Sequence, residues 1–342
     1  MAATVVLTRA DVRRLLDMRD CIAAVEHAFH LHSTGKTIAP AVLGAHVDGG
    51  GFHVKTAGLR PIGDHVGVFA MKINANFPGN PKRHGLPTIQ GVMALFDASN
   101  GRVLALIDSI EITSIRTAAA TAVAAKYLAR IDARVVTVCG CGEQGRSQLR
   151  AILCVRPVQR VNAFDFDADR AAAYAEEMSS ELGIPVTTVA ELGEHTRDTD
   201  IWITCTPAHR WFLGRSHVRR GAFVAAVGAD NGDKQEIEPD LLASSVVIAD
   251  VLDQCVSIGD LHHALVAGAM RREDVRAELA DIVGGSKQGR LTDGEIIVFD
   301  STGTALEDVA AAEIVYERAL AAGAGIPVDL GGRTSPNVAA SQ

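Results

Sequence analysis

The 342 residues carry 33 Lys and Arg against 41 Asp and Glu, a net charge of −8 with histidine neutral, and 48% of them are hydrophobic. That is enough apolar material for more than one ordinary domain, while the acidic balance and the lack of any long basic tract argue against a nucleic-acid partner. No uninterrupted apolar run approaches the ~18 residues of a membrane span, the first residues lack the pattern of a secretory signal, and a cytoplasmic location is expected.

Residues 8–34 read as helical. Ile22, Val25, Ala28 and Phe29 recur at helix spacing, and Asp20 is the expected N-cap inside the stretch. From Ala39 to Asp108 short apolar runs alternate with Gly, Pro and Asn: "AVLGAHV", "GFHVKTA", "GVFAMKI", "TIQGVMALFD" and "RVLALID". This pattern predicts a mainly antiparallel sheet, with "DASNG" at 97–101 as a tight turn between two of its strands. Thr113 to Arg130 is Ala-rich and strongly helical.

Beyond it the texture becomes strand, helix, strand. "RVVTVC", "VNAFD", "DIWITC", "AFVAAVG", "VVIAD" and "EIIVFD" are nearly continuous apolar runs. Strands apolar on both faces that alternate with helices imply a parallel sheet covered on both sides. The six cysteines do not read as a disulfide framework. Cys21, Cys154, Cys205 and Cys255 sit singly in apolar patterns as buried free thiols. The twelve histidines show no metal spacing; His262 and His263 are adjacent and diverge by about 100° on a helix.

In "RVVTVCGCGEQGRSQL" an apolar strand runs into Gly140-x-Gly142-x-x-Gly145 and then a helix. The next strand ends at Asp165, 25 residues after Gly140. This is the context a dinucleotide site requires. The first glycine permits the tight turn, the second lets the backbone approach a pyrophosphate, and the third lets helix and strand pack closely. The pyrophosphate then faces the positive end of the helix dipole. Asp165 would accept from the ribose hydroxyls and repel a 2′-phosphate, so NAD is the expected cofactor; Arg170 could offset that repulsion. Cys139 and Cys141 are then small residues around a crowded turn, not metal ligands.

The chain resembles the ornithine cyclodeaminase/μ-crystallin family. The matching stretches are "GLPTIQG" (85–91), "ITSIRTAAATAVAAKYLA" (112–129), "CGCGEQGRSQL", "VGADNGDKQEI" (227–237) and "FDSTGTALEDVAAA" (299–312), in the family's order and over nearly the whole length. The resemblance implies an α/β chain of two domains: a Rossmann-type doubly wound domain and an α+β domain with the mainly antiparallel sheet. Residues 1–117 with 309–330 would form the substrate-binding and dimerisation domain, 118–308 the NAD-binding domain, and 331–342 a flexible tail. It also implies a homodimer, and hydride exchange between a nicotinamide and the α-carbon of a small amino or imino acid.

Residue by residue, the resemblance makes Asp230 the proton-transfer group and Lys72 a substrate-contacting, catalytic lysine. Arg116 becomes the carboxylate-binding arginine, whose guanidinium offers the fork a carboxylate wants. Lys55 is a third cationic candidate, and Thr302 is expected to face the substrate. Thr88, Glu143, Gln144, Thr206, Val227, Gly228, Lys234 and Ser301 are expected along the cofactor, with Gly140, Gly142, Gly145 and Asp165.

Two departures bear on the substrate. Ala41 stands where many members carry a carboxylate-binding arginine, and "DGGGFHVK" replaces the segment that carries an acidic residue in the ornithine and lysine cyclodeaminases. Phe52 and His53 offer no negative charge to a distal ammonium, although Asp48 is near. The leading expectation is therefore an amino-acid dehydrogenase or imine reductase. A cyclodeaminase using NAD catalytically and a nucleotide-binding crystallin without catalysis stay open.

Overall fold

The computed structural model describes residues 3–63 and 66–330. The expected tail at 331–342 lies outside the described residues. Two sheets organise the chain. The first contains β1 (Thr4–Leu7), β2 (Thr37–Val47), β3 (Gly50–Leu59), β4 (Val68–Asn76), β5 (Ile89–Asp97) and β6 (Val103–Asp108), with α1 (Arg9–Leu15) and α2 (Met18–Ser33) between β1 and β2, and α3 (Asn80–His84) between β4 and β5. Its order is β17-β1-β6-β5-β4-β3-β2, where β17 (Ile326–Val328) is the last strand of the chain. Every pairing is antiparallel except β1 with β6.

The reading of 8–34 needs one correction. Two helices fill it, and the second is capped by Asp17, whose carboxylate accepts from the Arg19 N–H at 2.8 Å. Asp20 lies in that helix's first turn instead, because the chain is extended at Leu16, which caps α1. The expected 97–101 turn is present: the Asp97 carboxylate accepts from the Ser99 N–H between β5 and β6.

Helix α4 (Ser109–Leu128) leads to the second sheet. That sheet contains β7 (Val135–Cys139), β8 (Arg160–Phe164), β9 (Val186–Thr188), β10 (Ile201–Thr204), β12 (Phe223–Ala226), β14 (Val246–Ala249), β15 (Ala277–Glu278) and β16 (Ile297–Asp300). A separate small pair is β11 (His209–Leu213) with β13 (Gln235–Ile237). Helices α5 (Glu143–Val155), α6 (Ala168–Leu182), α7 (Pro239–Ala243), α8 (Leu252–Ile258), α9 (Asp260–Val266) and α10 (Leu279–Val283) connect the strands, and α11 (Ala305–Ala322) follows β16. The sheet is parallel throughout, in the order β15-β14-β16-β12-β10-β7-β8-β9. The direction of winding reverses between β7 and β10, which opens a crevice at the carboxyl ends of those strands.

Alanine explains how the sheets are joined. Ala118, Ala119, Ala120, Ala122, Ala124 and Ala125 are all buried on α4, which packs against α2, α5 and α11. Side chains this small let helix axes approach closely while keeping high helix propensity. Helix α11 in turn packs on β3 and β4, so its first turn is delivered to the first sheet. Among the described residues no helix is long and apolar enough to cross a membrane.

Candidate active site

Register builds one wall of the site. Lys55 of β3 stands opposite Lys72 of β4, and His53 opposite Asn74. On the other side Lys72 faces Met93 and Asn74 faces Gly91 of β5. Because side chains alternate along a strand, Lys72, Asn74 and Asn76 share one face. A side chain at 91 would collide with the Asn74 amide, with a β-carbon 2.1 Å from Oδ1. Gly91 leaves room for Asn74 to accept from the Ser109 hydroxyl at 2.6 Å. His53, Lys55, Lys72, Asn74 and Asn76 face a cavity of about 370 Å³ whose other walls come from α4 and from loops at the carboxyl ends of β10, β12 and β16.

Three expected cations meet in this cavity: Lys55, Lys72 and Arg116. Lys72 is 3% exposed on an interior strand of the sheet. Its ammonium donates to Asp308 at 2.7 Å. Arg116 Nη1 donates to Glu307 at 2.5 Å, and its Nε lies 2.8 Å from Asp308. Lys55 Nζ donates to the carbonyls of Thr302 and Gly303 at 3.2 and 2.7 Å.

Burial, and next the Arg116 guanidinium, bring Lys72 down to about 7. Lys55 is lowered for the same two reasons. Burial pushes Glu307 up to about 7 against the pull of Arg116. Burial alone would raise Asp308 as well, but Arg116 and Lys72 hold it below the usual carboxylate range. Burial works against the charge of Arg116, yet Asp308 and Glu307 keep it a cation. Arg116 stays a cation opposite Asp308, whereas Lys72 and Glu307, both brought to about 7, are each only partly ionised near neutrality, so Arg116 with Lys55 and the charged fraction of Lys72 provides the positive field where a substrate carboxylate would enter.

Glu307 and Asp308 are functional candidates the motif reading missed. A local signal was present: Thr304-x-x-Glu307 forms a capping box at the start of α11, with the Thr304 side chain accepting from the Leu306 N–H at 3.3 Å. Nothing in the spacing said that the cap would be buried beneath Arg116.

Asp230 follows β12 and lines the same cavity. Its side chain is 56% exposed and accepts from Lys234 Nζ at 2.7 Å. Gln144, Thr206, Val227, Gly228, Lys234, Ser301 and Thr302 also line this cavity. Thr88 and Glu143 do not. Thr88 is beside the lining residue Ile89 and its carbonyl accepts from the Phe77 N–H. Glu143 is exposed at the first position of α5. Ala41 is exposed on β2 and Asp48 lies in the β2–β3 turn, so neither brings charge to the cavity.

The glycine turn has the form a nucleotide needs. Gly140 has φ +107°, and a β-carbon there would stand 2.8 Å from the Cys205 carbonyl. At Gly145 it would stand 2.2 Å from the Gly140 carbonyl, whereas at Gly142 it would meet nothing within 4 Å. Gly142 is the N-cap of α5 and supplies no side chain to its free N–H groups. Gln144 Nε2 is buried without a hydrogen-bond partner among the described residues. Uncapped amides, an open approach and an unpartnered amide donor fit a pyrophosphate.

Asp165 continues the turn. Its carboxylate accepts from the Cys141 N–H at 2.9 Å and the Asp167 N–H at 3.0 Å. It also lines a second cavity, of about 580 Å³, with Phe164, Phe166, Val189, Leu192 and Phe212. An apolar, aromatic slot beside a carboxylate suits a flat base and its ribose. Cys139 and Cys141 are buried around the turn with free thiols; Cys154 and Cys205 are only partly buried.

A family model described as "Ornithine cyclodeaminase/mu-crystallin family" matches residues 2–323. The chain is 34% identical over 322 residues to the alanine dehydrogenase of Archaeoglobus fulgidus, covering 94% of this chain and 97% of that one. Among solved structures it is similar to an archaeal alanine dehydrogenase dimer with bound NAD, with a TM-score of 0.91 at 34% identity over 96% of this chain and 99% of the other. It is also similar to the Thermococcus litoralis Δ(1)-pyrroline-2-carboxylate reductase in complex with NADH and L-proline, with a TM-score of 0.90 at 33% identity over 95% and 100% of the two chains.

Proposed function

The chain belongs to the ornithine cyclodeaminase/mu-crystallin family, and we propose that within it the protein is an NAD(H)-dependent oxidoreductase acting at the α-carbon of a small amino or imino acid. The observation that carries this reading is a single cavity in which Lys72 and Arg116 face Asp230 beside the glycine turn. When bound, the nicotinamide supplies a hydride to the α-carbon of an imino acid, or takes one from an amino acid.

The chain's own residues do the rest. Arg116 and Lys72 hold the substrate carboxylate, with Lys55 adding to the field. Asp230 gives a proton to the imine nitrogen in reduction and accepts one from the amine in oxidation. The cavity-facing surface is formed by both sheets, so the carboxylate and the reacting carbon are positioned together. The amides of α5 and Gln144 take the pyrophosphate; Asp165 takes the ribose and the Phe166–Phe212 slot the adenine. Residues of the first sheet with α11 would then form the substrate side, and the parallel sheet the cofactor side.

A diamino acid substrate is disfavoured. Among the described residues Asp230 is the sole acidic residue lining the cavity, and it is already paired with Lys234. A distal ammonium would find no free anion. The test is a panel of α-keto acids with ammonia or methylamine, cyclic imines, ornithine and lysine, followed at 340 nm and by product analysis. Net NADH oxidation with a small imino acid is expected. Ornithine converted to proline with no net cofactor change would make the protein a cyclodeaminase.

The functional unit is a homodimer. Strand β2 is an edge strand, and Val42, Leu43 and Val47 on it and Phe52 on β3 are exposed. An apolar, unpaired edge invites a second copy. A monomeric mass by light scattering at micromolar concentration would contradict this.

A further inference from the structure

Three buried acids that take no part in the chemistry above form a series running from β16 to the cavity. The Asp300 carboxylate accepts from the Asp260 and Leu261 N–H groups at 3.2 and 2.9 Å, holding the start of α9. Asp260 accepts from the Glu236 and Ile237 N–H groups at 2.8 and 2.9 Å, holding β13. Glu236 is fully buried and accepts from the Thr206 N–H and hydroxyl, both at 2.6 Å, through one oxygen, and from the Gly228 N–H at 2.9 Å through the other.

Two glycines are fitted to these carboxylates. A β-carbon on Gly228 would stand 2.4 Å from the Glu236 carboxylate, and one on Gly259 would stand 2.3 Å from that of Asp300. Thr206 and Gly228 line the cavity on the loops after β10 and β12. The Gly228 carbonyl then accepts from the Asp230 N–H at 3.1 Å.

We propose that Glu236 is a positioning residue: its carboxylate ties together the two loops that wall the nicotinamide end of the cavity and, through Gly228, sets the place of Asp230. The inference rests on the functional reading above. The geometry requires acceptors at both oxygens, since three donors point at them. Burial works against this charge, and the hydrogen bonds from Thr206 and Gly228 oppose that effect without cancelling it. A neutral amide of the same shape cannot serve. Whichever way a glutamine turns, its NH₂ meets either the Thr206 donors or the Gly228 donor.

The test is Glu236→Gln, read in three ways. In the cofactor-free protein, amide exchange at 205–208 and 227–231 should quicken, because the tie between the loops is cut. Affinity for NADH should change less than about threefold. Single-turnover hydride transfer per bound NADH should fall about 10- to 100-fold, the scale of a misplacement of roughly an ångström, with a larger primary deuterium isotope effect from [4-²H]NADH. A variant that merely unfolds in part would lose bound NADH while keeping the wild-type rate per bound NADH, with the isotope effect unchanged, and that result would overturn the proposal. Unchanged exchange and rate would overturn it equally. If Glu236→Gln does not fold, Gly228→Ala pushes a methyl group into the same carboxylate and should give the same three changes. If wild type transfers hydride to no imino acid of the panel, the functional reading fails, and exchange at the two loops still decides whether Glu236 ties them.

Discussion

The Lys72 ammonium lies 2.7 Å from both carboxylate oxygens of Asp308, a residue 236 positions further along the chain. The pair fastens α11 to the middle of the first sheet, and Arg116 shares the same carboxylate. This crowding has a consequence for stability. Lys72 is held at about 7 against an ordinary value of 10.5, and Glu307 at about 7 against 4.5. Between pH 4.5 and 7 the folded protein binds more protons at Glu307 than the unfolded chain, so this group's contribution falls as pH rises. Between 7 and 10.5 the unfolded chain binds more at Lys72, so that contribution rises with pH. Together the two give a trough near neutrality. Denaturant midpoints from pH 5 to 10 should show Lys72→Met losing the rise above 7. A variant that keeps the wild-type slope there would mean Lys72 titrates normally.

Arg116 spends Nη1 on Glu307 and Nε on Asp308. Truncation to alanine would take the buried Glu307's cationic partner away and leave Asp308 with Lys72 alone, so Arg116→Lys is the cleaner probe. It keeps the charge and removes the fork. The specificity constant for the imino acid should fall about 30- to 1000-fold, equivalent to roughly 2–4 kcal/mol, and mainly through KM. Lys55 and Lys72 hold part of the same field, which places the loss toward the lower end. A change under threefold in a folded variant would remove Arg116 from carboxylate binding.

Asp165 is engaged by the Cys141 and Asp167 N–H groups, which fixes its carboxylate at the end of β8. A fixed negative charge there should favour NADH over NADPH, and Asp165→Ala should narrow the gap. Arg170, with a nitrogen 3.8 Å from Asp165, is the group that would then meet a 2′-phosphate. Fluorescence titration with both reduced cofactors checks this. Tighter NADPH binding by the wild type would reverse the assignment.

How much could be read in advance followed the range of the interactions. The glycine turn was legible because its causes are local: Gly140 needs a positive φ and Gly145 has no room for a β-carbon. The six main parallel strands were legible because both faces are buried, which writes itself as unbroken apolar runs. The partners of Lys72 and Arg116 were not. They come from α11, 236 and 191 residues away, and only the packing of that helix on β3 and β4 brings them in. Glu143, expected along the cofactor from its position in the motif, is exposed at the first position of α5 and does not line the cavity. The short strands β1 and β17 pair only with partners distant in sequence and carry too few residues to show a period.

Asp230 is the proposed donor and acceptor of the proton that accompanies hydride transfer in this cavity. Asp230→Asn keeps the shape of the side chain but cannot accept or deliver that proton as a carboxylate does. NADH affinity should change little, because the proposed nucleotide site is the glycine turn and Asp165, away from this side chain. Stopped-flow single turnover at 340 nm, with NADH bound and a small imino acid mixed in, measures the chemical step directly. A fall of about 10²–10⁴ is expected, the range of general acid–base catalysis. A variant that binds NADH normally and transfers hydride at close to the wild-type rate would contradict it, and would leave Lys72 as the proton-transfer candidate.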